Sequence, residues 1–506
     1  MVMELIAGRL VAPYVGSSIY TWTSIIGVFL LGITLGNWIS GRLADRYPSL
    51  KILGIALLLA AIASLSVIWI TPLWEKIPRT NLSFPFTITL FSLVTFFPAA
   101  FFLSFVSPLA IKLDLNKLER TGRTVGNIYG ISAAGSIVGT FATGFWLIPT
   151  VGTRQIAWNV FFVLALIGFY LLFKSGRTKV GPALIILAII PLAFWSLFKK
   201  DTCFVESQYY CIRINKIEIG DNSGYALLLD QLEHSHVWAA DFDPFGDNYI
   251  RLFALLTNYR FKPDDAFKVL AIGGGGYTLP RYLINNFPKA TVTVLEIDPK
   301  VTEVNYQKLG LTLNERLKII HADGRVGLQQ LKEKFDLVYG DAFSDFLIPF
   351  HLTTRELVEE IKDRLNEGGI YAINLVDGPR GGQGQFLASS LITINSVFPQ
   401  TYLFPFTKQW QNQRRHTSVI AGMMESLDEK RWAATIPLND PRWAKAAPEA
   451  KENLKLHLLT NGSTIKSFIT QARGITLTDN FAPVENMIAH LYRLKTPASP
   501  NPQQSP

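Results

Sequence analysis

Cysteine is nearly absent from this chain. Cys203 and Cys211 are the only two in 506 residues, and no Cys-x-x-Cys or Cys/His cluster accompanies them. A structural zinc site is therefore not expected. The pair reads either as unpaired thiols or as a disulfide, and the second option requires an oxidising compartment. Acidic residues are scarce in the first 200 positions, where 5 Asp and Glu face 16 Lys and Arg. The remainder is nearly balanced, with 34 against 32. The net charge of +9 thus lies in loops between apolar segments and leaves no nucleic-acid footprint on the second part. No Walker lysine follows the long glycine run, which argues against nucleotide hydrolysis.

Long apolar runs, by contrast, are plentiful. They recur at 23–41, 52–71, 86–111, 127–149, 156–173 and 182–198. Each has the length that carries a helix through a hydrocarbon core, so residues 1–200 read as a six-span membrane domain in contact with the lipid bilayer. Residues 1–15 read as the tail of an earlier span running into a loop. Gly126 to Gly130 and Gly135 to Gly139 are small-xxx-small spacings of the kind that packs helices in lipid. Arg42, Arg46 and Lys51 share one loop, Lys112, Lys117, Arg120 and Arg123 another, and Lys174, Arg177 and Lys179 a third. The positive-inside bias makes all three cytoplasmic. A span at 182–198 then carries the following domain outside, whereas a nucleoside-type cofactor argues for the cytoplasm. A re-entrant or interfacial 182–198 removes the conflict, so the side stays open.

After Lys199-Lys200 the pattern changes. Residues 204–232 alternate apolar and polar residues around tight turns, as in Tyr210-Cys-Ile-Arg-Ile-Asn, and predict a small antiparallel β region over 201–265. Residues 266–495 predict a Rossmann-like, doubly wound α/β domain, with strands near 268–272, 291–295, 317–321, 335–340 and 369–375. A helix is expected over 354–366, started by the capping-box spacing of Thr353-Thr-Arg-Glu356 and stopped at Gly368-Gly369. Residues 496–506 are Pro-, Ser- and Gln-rich and read as a disordered tail.

The chemistry sits where the predicted strands end. Val269-Leu-Ala-Ile-Gly-Gly-Gly-Gly276 is a buried strand running into four glycines, and Thr291-Val-Thr-Val-Leu-Glu-Ile-Asp298 follows. Gly273, Gly274 and Gly275 let a cofactor lie against the backbone, and Glu296 holds the ribose hydroxyls. Asp323, in His321-Ala-Asp-Gly-Arg325 with Gly324, accepts from an adenine amino group. Asp341, in Leu337-Val-Tyr-Gly-Asp341, takes the position of a base, with Asp345 close behind. For each carboxylate the competing role is a cap or turn residue.

These motifs resemble the spermidine synthase (polyamine aminopropyltransferase) family, and within it bacterial proteins that fuse a multi-span membrane domain to such a domain. The matching pieces are Glu206-Ser-Gln-Tyr-Tyr210, Ile272-Gly-Gly-Gly275, Glu296-Ile-Asp298, Asp323-Gly324 and Gly340-Asp-Ala-Phe-Ser-Asp345. The resemblance implies transfer of an aminopropyl group from decarboxylated S-adenosylmethionine to a polyamine amine, without a metal. It implies Glu296 on the donor ribose, Asp323 on its adenine, Asp341 as the acid that helps deprotonate the amine, and Tyr210 and Asp345 near the acceptor. It also implies a multi-pass protein of the bacterial inner membrane, which leaves a homodimer open. There are departures. Tyr277 stands where the family's glycine loop carries an acid, and Arg251 replaces an acid that faces a polycation. The first favours an S-adenosylmethionine methyltransferase as the alternative, the second would repel a polycationic acceptor, and the glycine-rich spans favour a transporter or sensor that binds a nucleoside without turnover.

Overall fold

The computed structural model describes residues 1–15, 18–76, 84–115, 121–175, 203–219, 222–230, 232–238, 248–342, 348–435 and 456–492. The chain divides into two compact units, Met1–Cys211 and Ile212–Pro506.

The first unit is helical. Five of its described helices are long and apolar enough to cross a membrane: Ile19–Arg46, Leu50–Leu73, Pro85–Asp114, Thr121–Leu147 and Thr153–Lys174. The sixth expected span, 182–198, lies outside the described residues. Small residues set the helix contacts. Gly54 lies against the Gly168 carbonyl, and Gly32 lies against Ala100, because no side chain keeps the backbones apart. Val2–Val15 is one helix that includes Pro13. Its stripe of Met3, Ile6, Ala7 and Val11 is buried at helical spacing, and that packing outweighs the hydrogen bond that Pro13 removes. A short strand, β1 (Val205–Glu206), closes the unit. Cys203 and Cys211 are joined in a disulfide, so the reading as unpaired thiols does not hold.

The second unit begins with three antiparallel strands, β2 (Cys211–Ile219), β3 (Asn222–Leu229) and β4 (Leu232–Trp238). An eight-stranded sheet follows. Its parallel part consists of β5 (Lys268–Ile272), β6 (Thr291–Glu296), β7 (Leu317–His321), β8 (Phe335–Gly340) and β9 (Leu365–Asp377). In space these run β9-β8-β5-β6-β7, with β5 bonded on one side to β8 and on the other to β6. The strand order therefore reverses at β5, and the crevice outside its carboxyl end is where such sheets bind ligands. The antiparallel strands β10 (Gln400–Pro405) and β11 (His416–Met423), with the short β12 (Leu458–Leu459), complete the far edge. This is the expected Rossmann-like architecture after an antiparallel region.

Val269, Leu270, Leu337, Val338 and Tyr339 are fully buried, as β-branched and aromatic residues must be when helices cover both sheet faces. Helix Asn248–Arg260 lies over β8, with Phe253 stacked on Tyr339 at 4.6 Å and Thr257 Oγ1 bonded to the Tyr339 hydroxyl at 2.8 Å. Burying one such ring is worth about 2 kcal/mol, and it holds the tip of β8 in place. Two local expectations fail. The helix after β8 spans Arg355–Asp363, and its N-cap Thr354 makes no capping bond. Thr354 donates to Asp479 Oδ1 at 2.7 Å, and Glu356 accepts the Asp479 N–H at 3.0 Å, so a distant loop replaces the local capping box. Gly368 does not stop that helix. It lies inside β9 at φ +68°, and its carbonyl accepts from Arg260 Nε at 2.9 Å.

Candidate functional site

The site grows from the register of β5, β6 and β8. Ile272 pairs with Leu295 and with Gly340, so Gly273, Glu296 and Asp341 come off three adjacent strand tips. The turn is pinned by Gly273 N–H to the Leu295 carbonyl and by Asp341 N–H to the Ile272 carbonyl, both 2.8 Å. Gly273 has φ +102° and Gly275 φ +50°, conformations that only glycine adopts without strain. A Cβ on Gly273 would run into the Asp341 carbonyl, and one on Gly274 would meet Glu296 Oε2 at 3.0 Å. Gly273→Ala is therefore expected to destabilise the fold by about 2 kcal/mol or more and to displace Asp341. A thermal melt lowered by several degrees, with transfer lost beyond the loss of folded protein, checks this; an unchanged melt would refute it.

Glu296 accepts from Gly274 N–H at 2.8 Å and from Asp298 N–H at 2.9 Å, and is 6% exposed. Burial pushes its carboxyl above the usual range against the pull of those backbone bonds. Asp298 caps helix Pro299–Lys308. Asp341 lines a cleft with Gly273, Gly274, Ser235, Ile250, Thr278 and Tyr339. Asn374 Nδ2 donates to Asp341 Oδ1 at 3.3 Å. Ser235, on β4, accepts the Gly276 N–H at 2.9 Å and so brings the antiparallel sheet onto the glycine loop. Neither Ser235 nor Asn374 carried a sequence signal. Only pairing across the sheets brings them here.

Asp323 is an N-cap: its Oδ1 accepts from Arg325 and Val326 N–H, and its Oδ2 meets His351 Nε2 at 2.8 Å. Burial raises the Asp323 carboxyl, but the bonds from His351, Val326 and Arg325 outweigh it and hold it below the usual range. Gly324 opens the helix against the Ile272 side chain. Nearby, Arg325 bridges Glu360 at 2.7 Å and Asp479 at 2.6 Å. The hydrogen bonds from Arg325 hold Asp479 low as well. Both acids are depressed, so their contribution to stability is complete above ordinary carboxylate values and is lost as pH falls through the folded ones. Asp323→Asn should melt below wild type at neutral pH and converge with it as pH falls below the ordinary carboxylate range; a constant gap would refute the coupling. Of the other expected residues, Tyr210 lies in the first unit, with its N–H on Ser207 Oγ at 2.8 Å. Asp345 lies outside the described residues. Tyr277, at the acid's expected position, is buried at φ +54° with its hydroxyl on Thr302 Oγ1 at 2.7 Å. Among the described residues there is no group of three acids, His or Cys that could hold a metal.

Comparison with known proteins bears on this geometry. Residues 257–379, which run from within helix Asn248–Arg260 through the glycine loop to just past β9, match the family model described as "Spermine/spermidine synthase domain". That match covers about a quarter of the chain. The chain is also 31% identical over 135 residues to a probable polyamine aminopropyl transferase of Bifidobacterium longum, covering 27% of this chain and 30% of that one. Polyamine aminopropyltransferase 2 of Aquifex aeolicus is 23% identical over 391 residues, 73% of this chain and 75% of that one. A bovine eEF1A lysine and N-terminal methyltransferase is 27% identical over 161 residues, 30% of this chain and 22% of that one. The chain thus spans about a third of the length of the Bifidobacterium relative.

Proposed function

We propose that this chain is a membrane-anchored aminopropyltransferase that moves an aminopropyl group from decarboxylated S-adenosylmethionine to a small-molecule amine. One observation carries the reading: in a spermine/spermidine synthase domain, Glu296 and Asp341 flank the glycine loop at the point where strand order reverses. Glu296 exchanges its bond to Gly274 N–H for the donor's ribose hydroxyls. Gly273 to Gly275 let the nucleoside lie against the backbone. The Asp323–His351 pair borders the adenine, with Asp323 Oδ2 as the acceptor for its amino group. Asp345, four residues beyond Asp341, is assigned to the acceptor amine.

The transfer itself is one displacement. The amine lone pair attacks the carbon next to the sulfonium, the new N–C bond forms as the C–S bond breaks, and the bonding pair stays on sulfur. The products are a neutral thioadenosine and the alkylated amine, and the amine proton passes to Asp341 and then to water. An amine is protonated at neutral pH, so a carboxylate that orients it and accepts its proton supplies the nucleophile. The five apolar helices support the bilayer of a bacterial inner membrane as the anchor.

A second reading, methyl transfer from intact S-adenosylmethionine, is favoured by Tyr277. A buried tyrosine at that position supplies no carboxylate for the amine of a decarboxylated donor. Full-length protein in detergent, given each donor with putrescine or spermidine, separates the readings. Methylthioadenosine is the expected product. Adenosylhomocysteine instead would establish the methyltransferase, and binding of a donor with no product from any pair would leave a nucleoside sensor.

A further inference from the structure

We infer that the chain following the helical unit faces the oxidising, non-cytoplasmic side of the membrane. This rests on the five apolar helices crossing a bilayer. The packing inside the first unit sorts its helix ends into two groups. Asp45 is salt-bridged to Lys112 at 2.9 Å, and Gly54 packs on Gly168 and Leu172. The helix ends at Arg46, Leu50, Asp114 and Lys174 therefore share one end of the bundle. The other end is marked by Trp69 beside Trp158 at 6.4 Å, and by Ser24 bonded to Thr89 at 2.9 Å.

Charge separates the two ends. Among the described residues the first carries Arg42, Arg46, Lys51, Lys112, Arg123 and Lys174, which is the cytoplasmic signature. The stretch that leads out of the unit is bonded to the second end. Thr153 donates to Glu206 Oε2 through its N–H at 3.0 Å and its hydroxyl at 3.1 Å. Arg9 donates to the carbonyls of Ser207, at 2.6 Å, and Tyr209. Arg9 thus spends its charge on the chain's exit. The Cys203–Cys211 disulfide encloses this same stretch, and such bonds persist where glutathione and thioredoxin do not reach. Charge, hydrogen bonding and cysteine pairing are independent, and they agree on one side. A consequence follows for supply. A cationic adenosyl donor does not cross lipid unaided, so a transport step must precede the reaction, and the acceptors are amines outside the cytoplasm.

The test uses the full chain in intact spheroplasts, with a membrane-impermeant phosphine and a maleimide–polyethylene glycol. Both cysteines should resist labelling until reduction, and then shift fully without permeabilisation. Labelling that needs permeabilisation, or that proceeds without reductant, would overturn the inference. As a second arm, Tyr47→Cys in a Cys203→Ser/Cys211→Ser background introduces a thiol at an exposed position between Arg46 and Lys51. It should label only after permeabilisation; labelling of intact spheroplasts would reverse the assigned orientation. Carbonate extraction tests the underlying reading separately. Release of the chain into the soluble fraction would reject membrane insertion, whatever the labelling shows.

Discussion

Asp341→Asn is expected to abolish product formation while donor affinity stays at the wild-type value. The loss should be roughly 10²- to 10⁴-fold in kcat, the range attributed to a positioned proton acceptor. The reason is local. Asp341 follows β8 at the strand-order reversal, beside Gly273, and Asn374 orients its Oδ1 from the next strand. Asparagine keeps size and hydrogen bonding but cannot take the proton of an ammonium. The backbone N–H of residue 341 still bonds to the Ile272 carbonyl, so the glycine turn survives. Single-turnover transfer and donor titration, measured on the same preparation, separate the two effects. Normal turnover would remove Asp341 from the reaction. A parallel loss of donor affinity would make it a binding residue.

Glu296→Gln should show the opposite split: donor affinity falls about 30- to 1000-fold, from roughly 2–4 kcal/mol of lost charge-assisted bonding, with less effect on kcat at saturation. The buried carboxyl titrates above the usual range because ionising it in a desolvated site is costly. Donor binding by the wild type should therefore weaken as pH falls through that raised value and level off above it. Glu296→Gln should be flat across the same window. Calorimetric titration against pH checks both. If the wild-type dissociation constant ignores pH, the ribose assignment fails.

Much of the second unit was legible because its signals are local. An apolar run followed by glycine marks β5 and its turn, and an acid twenty residues beyond Gly276 marks the tip of β6. Strand edges at 268–272, 317–321 and 335–340 follow from the same reading. The misses share a cause. The capping box at Thr353 and the helix stop at Gly368 were judged on neighbours in sequence, whereas Asp479 and Arg260 reach those positions from far along the chain. His351 was likewise unremarkable until it met Asp323. The disulfide could not be chosen over free thiols from spacing alone, because cysteine pairing depends on how the chain turns between the two residues.

By itself the sequence determined that apolar helices precede a glycine-looped α/β domain with carboxylates at its strand ends. Hydrophobic period and turn chemistry act over a few residues, so a linear reading captures them. Only tertiary structure decided which carboxylates share a cleft with the glycines, which ones are consumed as caps, and which end of the helical unit the chain leaves from. Those outcomes depend on hydrogen bonds between residues tens to hundreds of positions apart, such as Ser235 with Gly276 and Thr153 with Glu206. Such partners meet only when sheet register and helix packing bring them together.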